Sequence, residues 1–95
     1  MIDGEFEWDD EKAAANVRRH GVTFVHAMKA MRDPFAIERF DEREAYGEER
    51  INLTGMSDGV ILQVTYTERE DRVRLISARR AERDEQDDYF RENAP

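Results

Sequence analysis

The clearest periodic pattern in the chain is helical and begins at Thr23. Apolar residues follow it at i, i+3, i+4 and i+7, namely Phe24, Ala27, Met28 and Met31. The predicted helix ends at Asp33, because the residue before Pro34 avoids helical backbone angles. These apolar side chains are interpreted as core residues.

A first helix is predicted just upstream, over residues 9–20. Asp9 or Asp10 caps its start, because carboxylates accept from the free N–H groups of a first turn and oppose the helix dipole. Gly21 ends it at the position where a left-handed residue is favoured. The narrow apolar face of this helix permits close packing on a sheet.

Alternation of polar and apolar residues predicts the strands. Residues 5–8 form a short first strand, and 36–40 form a short edge strand. After a polar loop over 41–47, strands follow over 49–56 and 60–67, joined by the hairpin signal Asp58-Gly59. The next strand starts at residue 72 and gives way near Arg79 and Arg80 to a last helix over about 81–91. That helix has a thin apolar face, which predicts loose attachment or completion by a partner.

This order predicts one α+β domain over residues 1–95. A β-α-α unit comes first, then an antiparallel meander of three or four strands, then a C-terminal helix. With two helices covering one face of the sheet, the architecture is a two-layer sandwich.

Composition narrows the function classes. The chain has 95 residues, no cysteine and a net charge of −8, so neither a disulfide framework nor a thiolate zinc site is expected. No apolar run approaches the ~18 residues of a membrane span, and the N-terminus has no signal-peptide pattern. A cytoplasmic protein without membrane contact is therefore expected.

The basic residues are unevenly distributed, although the chain is acidic. Thirteen of the fifteen are arginines, and six of these crowd into one short segment: Arg69, Arg72, Arg74, Arg79, Arg80 and Arg83. Arginine presents a planar fork that suits phosphate. The segment is interpreted either as one basic patch on an acidic body or as ordinary solvated faces.

Several side chains are candidates for chemistry on a phosphate ligand. Arg69, Arg79 and Arg80 are candidates for holding phosphate, and Lys12 follows the acidic cap near the predicted sheet edge. Histidine changes charge near neutral pH, which makes His20 a candidate for proton transfer, although a cation at a helix C-terminus also has a structural role. Trp8 either stacks on a base or packs in the core.

No metal site or cofactor is predicted. His20 and His26 lie in different predicted helices without a matching run of ligands, and no glycine-rich phosphate loop is present.

The chain resembles BrnT-type toxins of type II toxin–antitoxin systems over nearly its whole length and in the right order. The first fragments that match are Phe6-Glu7-Trp8-Asp9, Lys12-Ala13, Asn16 and His20-Gly21-Val22 with Phe24. The later ones are Gly47-Glu48-Glu49-Arg50, Gly55, Val64, Tyr66-Thr67, Arg69 and Ile76-Ser77-Ala78-Arg79-Arg80-Ala81.

The resemblance implies a RelE-like fold and metal-independent cleavage of RNA, which arrests growth. It also implies neutralisation by a BrnA-like antitoxin in a hetero-oligomer that contacts DNA only through the antitoxin. In this hypothesis Arg69, Arg79 and Arg80 stabilise charge on the phosphate, and Lys12 or His20 moves protons. RNA is bound by three further residues: Trp8, Arg72 and Arg74.

Two other interpretations remain open at this point. The chain is a non-catalytic, partner-binding subunit of an autoregulatory repressor complex, or it is an acidic mimic of nucleic acid. The clustering of the arginines opposes the second of these.

Overall fold

The computed structural model describes residues 1–41 and 48–95. Its elements are β1 (Ile2–Asp3), β2 (Phe6–Glu7), α1 (Asp10–His20), α2 (Phe24–Met31), β3 (Ile37–Phe40), β4 (Ile51–Ser57), β5 (Val60–Arg69), β6 (Arg72–Arg80) and α3 (Arg83–Glu92). The polar loop predicted over 41–47 lies outside the described residues except for Asp41, as does Gly47 of the family resemblance.

The strands form one six-stranded sheet in the order β1-β2-β6-β5-β4-β3. All neighbours are antiparallel except β2 and β6, which are parallel. The α+β class and the meander of β3 to β6 confirm the prediction from alternation. The strand predicted over 5–8 is instead half of a small β1–β2 hairpin. Because β1 has only two residues, both exposed, it leaves no alternating pattern in the sequence.

Helix α1 begins and ends as its sequence predicts. The Asp9 carboxylate accepts from the N–H groups of Glu11 and Lys12, which lowers the pKa of that carboxyl. Gly21 adopts the left-handed conformation with φ of 69°, and its N–H donates a hydrogen bond to Val17 O. The first helix therefore stops at His20, next to the sheet.

Helices α1 and α2 cover one face of the sheet and bury the main core there. The core includes Phe6, Trp8, Phe24, Ala27, Leu53, Val64, Leu75 and Ala78. Gly55 allows α2 to approach β4 closely, because a Cβ atom at this position would lie 2.5 Å from the Ala30 carbonyl oxygen. The remaining face of the sheet, turned away from α1 and α2, is called the outer face below.

The last strand and the last helix differ from the prediction. Strand β6 continues through Arg79 and Arg80, because β5 starts directly after the hairpin and offers both of them partners, Gln63 and Leu62. Helix α3 starts only at Arg83 and packs on the outer face, where Tyr89 and Ala81 contact Ile61 and Met56. The expected two layers therefore become three at this end of the sheet.

Helix α3 also makes hydrogen bonds that its thin apolar face does not predict. The Tyr89 hydroxyl donates to the Asp33 carboxylate at 2.6 Å, and the Asn93 amide donates to Phe35 O at 2.9 Å. Asp33 in turn accepts from the N–H of Met56 on β4. No helix in the described ranges is long and apolar enough to cross a membrane.

Candidate functional site

The outer face carries two parallel rows of mostly polar side chains across four strands. Directly paired residues in the first row are Ser77, Thr65, Asn52 and Arg39, and in the second Arg79, Gln63, Thr54 and Ile37. Successive residues of a strand point to opposite faces, so these rows lie opposite the core. They form the floor of the candidate site.

Two hydrogen bonds on this floor join a threonine to an amide side chain, and the threonine hydroxyl is the donor in both. Thr65 donates to the Asn52 side-chain oxygen at 2.6 Å, and Thr54 donates to that of Gln63. Both threonines are buried, with exposed fractions of 6% for Thr54 and 8% for Thr65. Asn52 and Gln63 both line the space above the sheet, and their NH₂ groups make no hydrogen bond to another described residue.

A cleft of about 360 Å³ lies above these rows, here called the outer-face cleft. It is lined by His20, Asn52, Gln63, Thr65, Ser77, Arg79 and Glu85. The strands supply the floor, His20 closes one end from the last turn of α1, and Glu85 forms a wall from the first turn of α3. Segments from both ends of the chain thus meet around one space.

Asn16 fixes α1 against the end of β6. Strand β2 pairs with β6 only at Val73 and Arg74, and no other described strand pairs with the later part of this edge. There Asn16 accepts from the Ala78 N–H at 3.0 Å and donates to the Ala78 oxygen at 2.8 Å, and it also donates to Val22 O. These bonds set the position of His20 relative to Ser77 and Arg79.

A second space of about 340 Å³, here called the cation hollow, adjoins the cleft and shares His20 and Ser77 with it. Its lining includes three further cations: Lys12, Arg19 and Arg50. Together with Arg79 in the cleft, four cationic side chains and one histidine line the two spaces that share Ser77. Two of the cations lie beside carboxylates, Arg79 beside Glu85 and Arg50 beside Glu48. Such a cluster provides a local positive field on an acidic protein.

The guanidinium of Arg79 is held by Glu85 in a two-pronged ion pair, with both N–O distances 2.8 Å. Glu85 also accepts from the Glu82 N–H and so belongs to the cap of α3. The bond from Arg79 is the main cause that lowers the pKa of the Glu85 carboxyl. An anionic ligand at Arg79 must therefore share its fork with this carboxylate or displace it.

Residues 8–85 match the family model described as the ribonuclease toxin BrnT of type II toxin–antitoxin systems. The chain belongs to this BrnT family. The family identifies a ribonuclease toxin whose substrate is RNA and whose partner is a protein antitoxin. No curated protein matches the chain. The resemblance seen in the sequence fragments is thereby confirmed.

Three of the predicted catalytic residues of this BrnT chain lie around the same site. His20 and Arg79 line the outer-face cleft, and Lys12 lines the cation hollow next to it. Arg69 lies at the far hairpin of β5 and lines neither space. Its guanidinium is 3.7 Å from Glu48, and the other carboxylate oxygen of Glu48 is 3.8 Å from Arg50, which lines the cation hollow. Arg69 therefore adjoins the cation hollow but lies away from the outer-face cleft.

Arg79 and Arg80 lie on opposite faces of β6, although the sequence analysis groups them. Arg80 pairs with Leu62, whose side chain is in the core, so it is directed to the helix side of the sheet. Its role on the phosphate stays a prediction, which this orientation does not favour.

The residues expected to bind RNA lie away from the cleft. Trp8 is 8% exposed and packs edge-to-face against Phe24 with ring centroids 5.8 Å apart, so the core role of its two alternatives accounts for its position. Arg74 forms an ion pair with Glu7 at 2.7 Å, and Arg72 donates to Gly4 O. Both arginines help to join β6 to the N-terminal hairpin.

The sequence analysis missed several residues that line the site. Asn52 and Gln63 belong to the polar positions of otherwise apolar strands, and this alternation was the available signal for a functional face. Arg19 and Glu85 gave no such signal, since each is one charge among many in a charged helix. Within the described ranges, no three His, Asp or Glu side chains group as ligands for a metal ion.

Proposed function

We propose that this chain is one RelE-like domain over residues 1–95 that cleaves RNA in the outer-face cleft without a metal ion. The observation that carries the proposal is the set of cations that line the two spaces sharing Ser77, above a floor of mostly polar side chains. Cationic side chains over a phosphate stabilise the negative charge that develops on it during cleavage. A metal ion is not required for that task when side chains supply the charge.

The reaction that suits this arrangement is an internal transesterification. The ribose 2′-oxygen forms a bond to the adjacent phosphorus, and the bond from phosphorus to the 5′-oxygen of the next nucleotide breaks. A base accepts the proton of the 2′-hydroxyl, and an acid donates one to the departing 5′-oxygen. The products are a 2′,3′-cyclic phosphate and a free 5′-hydroxyl.

Roles follow from the positions of the side chains. Arg79 in the cleft and Arg19 and Arg50 in the cation hollow stabilise charge on the phosphate. His20 borders both spaces and is the best placed group for proton transfer, with Lys12 as the second candidate. These assignments rest on position, since each group lies within the same pair of adjoining spaces.

We also propose that a BrnA-like antitoxin binds the chain in a hetero-oligomer and that DNA is contacted through the antitoxin. The net charge of −8 supports this division, because a chain of that charge repels the DNA backbone. RNA and a newly made antitoxin are both found in the cytoplasm, which is therefore the proposed compartment.

The pair formed by Arg79 and Glu85 favours a second candidate function. A carboxylate already occupies the fork that would hold the phosphate. A chain whose site is closed in this way would act as the partner-binding subunit of an autoregulatory repressor complex and not as a nuclease. Purified chain that binds the antitoxin but leaves RNA intact would support this alternative.

The first prediction is that the purified chain cleaves RNA equally well with and without EDTA. Mapping of the ends should find 2′,3′-cyclic phosphate and 5′-hydroxyl termini, because the proposed attack is internal to the RNA. Activity that EDTA abolishes and magnesium or zinc restores would contradict the mechanism.

Two pairs of variants locate the site. Arg79→Ala should reduce cleavage by roughly 10²- to 10³-fold, the usual loss for one preorganised donor, whereas Arg80→Ala should have much less effect because Arg80 faces the helices.

His20→Gln should likewise reduce cleavage, and His26→Gln, on the exposed side of α2, serves as its control. Equal effects within either pair would place the chemistry elsewhere.

A further inference from the structure

We propose that Asn52 and Gln63 form a base-binding subsite that selects guanine next to the cleaved phosphate. The inference rests on the proposed function, since it places the RNA in the same cleft. Some hydrogen-bonding groups in this cleft are already engaged within the protein, and others are available to a ligand.

The strong acceptors among the residues described around the cleft are engaged within the protein. The side-chain oxygens of Asn52 and Gln63 accept from threonines. Glu85 accepts from Arg79 with both oxygens, and Asp88 on the neighbouring wall accepts from Arg91 at 2.7 Å. Within the described residues the NH₂ groups of Asn52 and Gln63 make no hydrogen bond, so these donors are available to a ligand together with the Ser77 hydroxyl and the cations.

A surface that donates selects a ligand edge that accepts. Guanine presents two adjacent acceptors, N7 and O6, at one edge, whereas adenine presents the N7 acceptor beside the N6 donor. The amide NH₂ groups of Asn52 and Gln63 match the first edge and oppose the second. Single-stranded RNA exposes these edges, because its bases can turn away from the stack.

The position of the two amides fits a base beside the scissile phosphate. Gln63 on β5 is paired directly with Arg79 on β6, whereas Asn52 on β4 is separated from Ser77 by Thr65 on β5. Neighbouring strands are ~4.8 Å apart, so Gln63 lies about one strand spacing from the proposed phosphate site and Asn52 about two. Further along the first row, the side chain of Arg39 is 62% exposed, and its guanidinium lies 3.8 Å from Asp88. We infer that its planar face stacks on a following base.

The test is cleavage of RNA in which one guanosine flanks a single mapped cleavage site. Replacing that guanosine by adenosine should lower kcat/KM by roughly 10- to 100-fold, and 7-deazaguanosine, which lacks the N7 acceptor, should also lower it. Cleavage at equal rates for all three RNAs would overturn the subsite and leave the nuclease proposal intact. Absence of cleavage on every RNA would instead overturn the nuclease proposal.

Variants test the same subsite from the protein side. Gln63→Met should abolish the preference for guanosine over adenosine, and Gln86→Met is the matched control, because Gln86 on α3 donates to Ala81 O and does not line the cleft. In the single variant the buried Thr54 hydroxyl loses its acceptor, which could destabilise the protein. The double variant Thr54→Val with Gln63→Met removes that hydroxyl as well and so avoids this effect. Retained preference in the folded double variant would overturn the assignment.

Discussion

At the scale of single residues, Asn16 decides how the site is assembled. Its side chain is 6% exposed and makes three hydrogen bonds to backbone groups, two of them to Ala78, which lies sixty-two positions later in the chain. These two bonds to Ala78 are the ones that a residue of a neighbouring strand would form with the edge of β6. An asparagine is suited to this because its amide both donates and accepts, as a peptide group does.

We therefore expect Asn16→Ala to lower the free energy of unfolding by about 2–5 kcal/mol. The change leaves buried donor and acceptor groups of Ala78 and Val22 unpaired, and each such group costs ~1–3 kcal/mol. Urea denaturation measures the change, and Val17→Ala on the exposed side of α1 is the control, expected within about 0.5 kcal/mol of wild type. Equal midpoints for the two variants would remove the structural role of Asn16.

At the scale of the elements, α3 is anchored in part by the partly buried hydrogen bond from Tyr89 to Asp33. Burial is the main cause that raises the pKa of the Tyr89 phenol, and the bond to Asp33 and the charge of that carboxylate add to it, so the pKa reaches about 12. Burial also tends to raise the pKa of Asp33, but the bonds from Tyr89 and from the N–H groups of Met56 and Phe35 outweigh it and lower the pKa.

The raised phenol pKa predicts a loss of stability in alkali. An unfolded tyrosine has a pKa of ~10, so the contribution of Tyr89 is complete below pH ~10 and is lost as the pH rises towards 12. The melting temperature of the wild type should fall across this range, and that of Tyr89→Phe should fall less, from a lower value at neutral pH. If the melting temperatures of the wild type and of Tyr89→Phe fell equally with pH, ionisation of Tyr89 would not account for the loss of stability.

The elements also show what could be predicted from sequence. The period of α2, the cap at Gly21 and the hairpin at Asp58-Gly59 are local signals, and each is confirmed in the structure. The end of β6 could not be predicted in the same way, because it depends on where β5 begins to offer partners. Strand pairing also decides on which face of the sheet a side chain lies, so Arg79 and Arg80 are grouped by sequence although they lie on opposite faces of β6.

At the scale of the whole molecule, the charge is divided between an acidic body and a small cationic site. The net charge is −8, whereas Lys12, Arg19, Arg50 and Arg79 gather around one end of the outer face. A local cluster of this kind suits a few phosphates of a flexible strand. A long, rigid duplex would bring many more phosphates against the acidic surface.

The free chain should accordingly fail to retard double-stranded DNA from its own promoter region at 0.15 M salt, whereas its complex with the antitoxin should retard it. Electrophoretic mobility shift with the chain alone, the antitoxin alone and the complex makes the comparison. Retardation by the chain alone at this salt concentration would mean that the toxin contributes a DNA surface of its own.

The meeting of chain ends around the cleft has a consequence for how the protein is made. Lys12, Arg19 and His20 belong to the first quarter of the chain, whereas Ser77, Arg79 and Glu85 belong to the last. Synthesis proceeds from the N-terminus, so these first three residues are made before β6 and α3. A nascent chain that lacks β6 and α3 holds only half of the site, and the cleft can form only after both elements have been made.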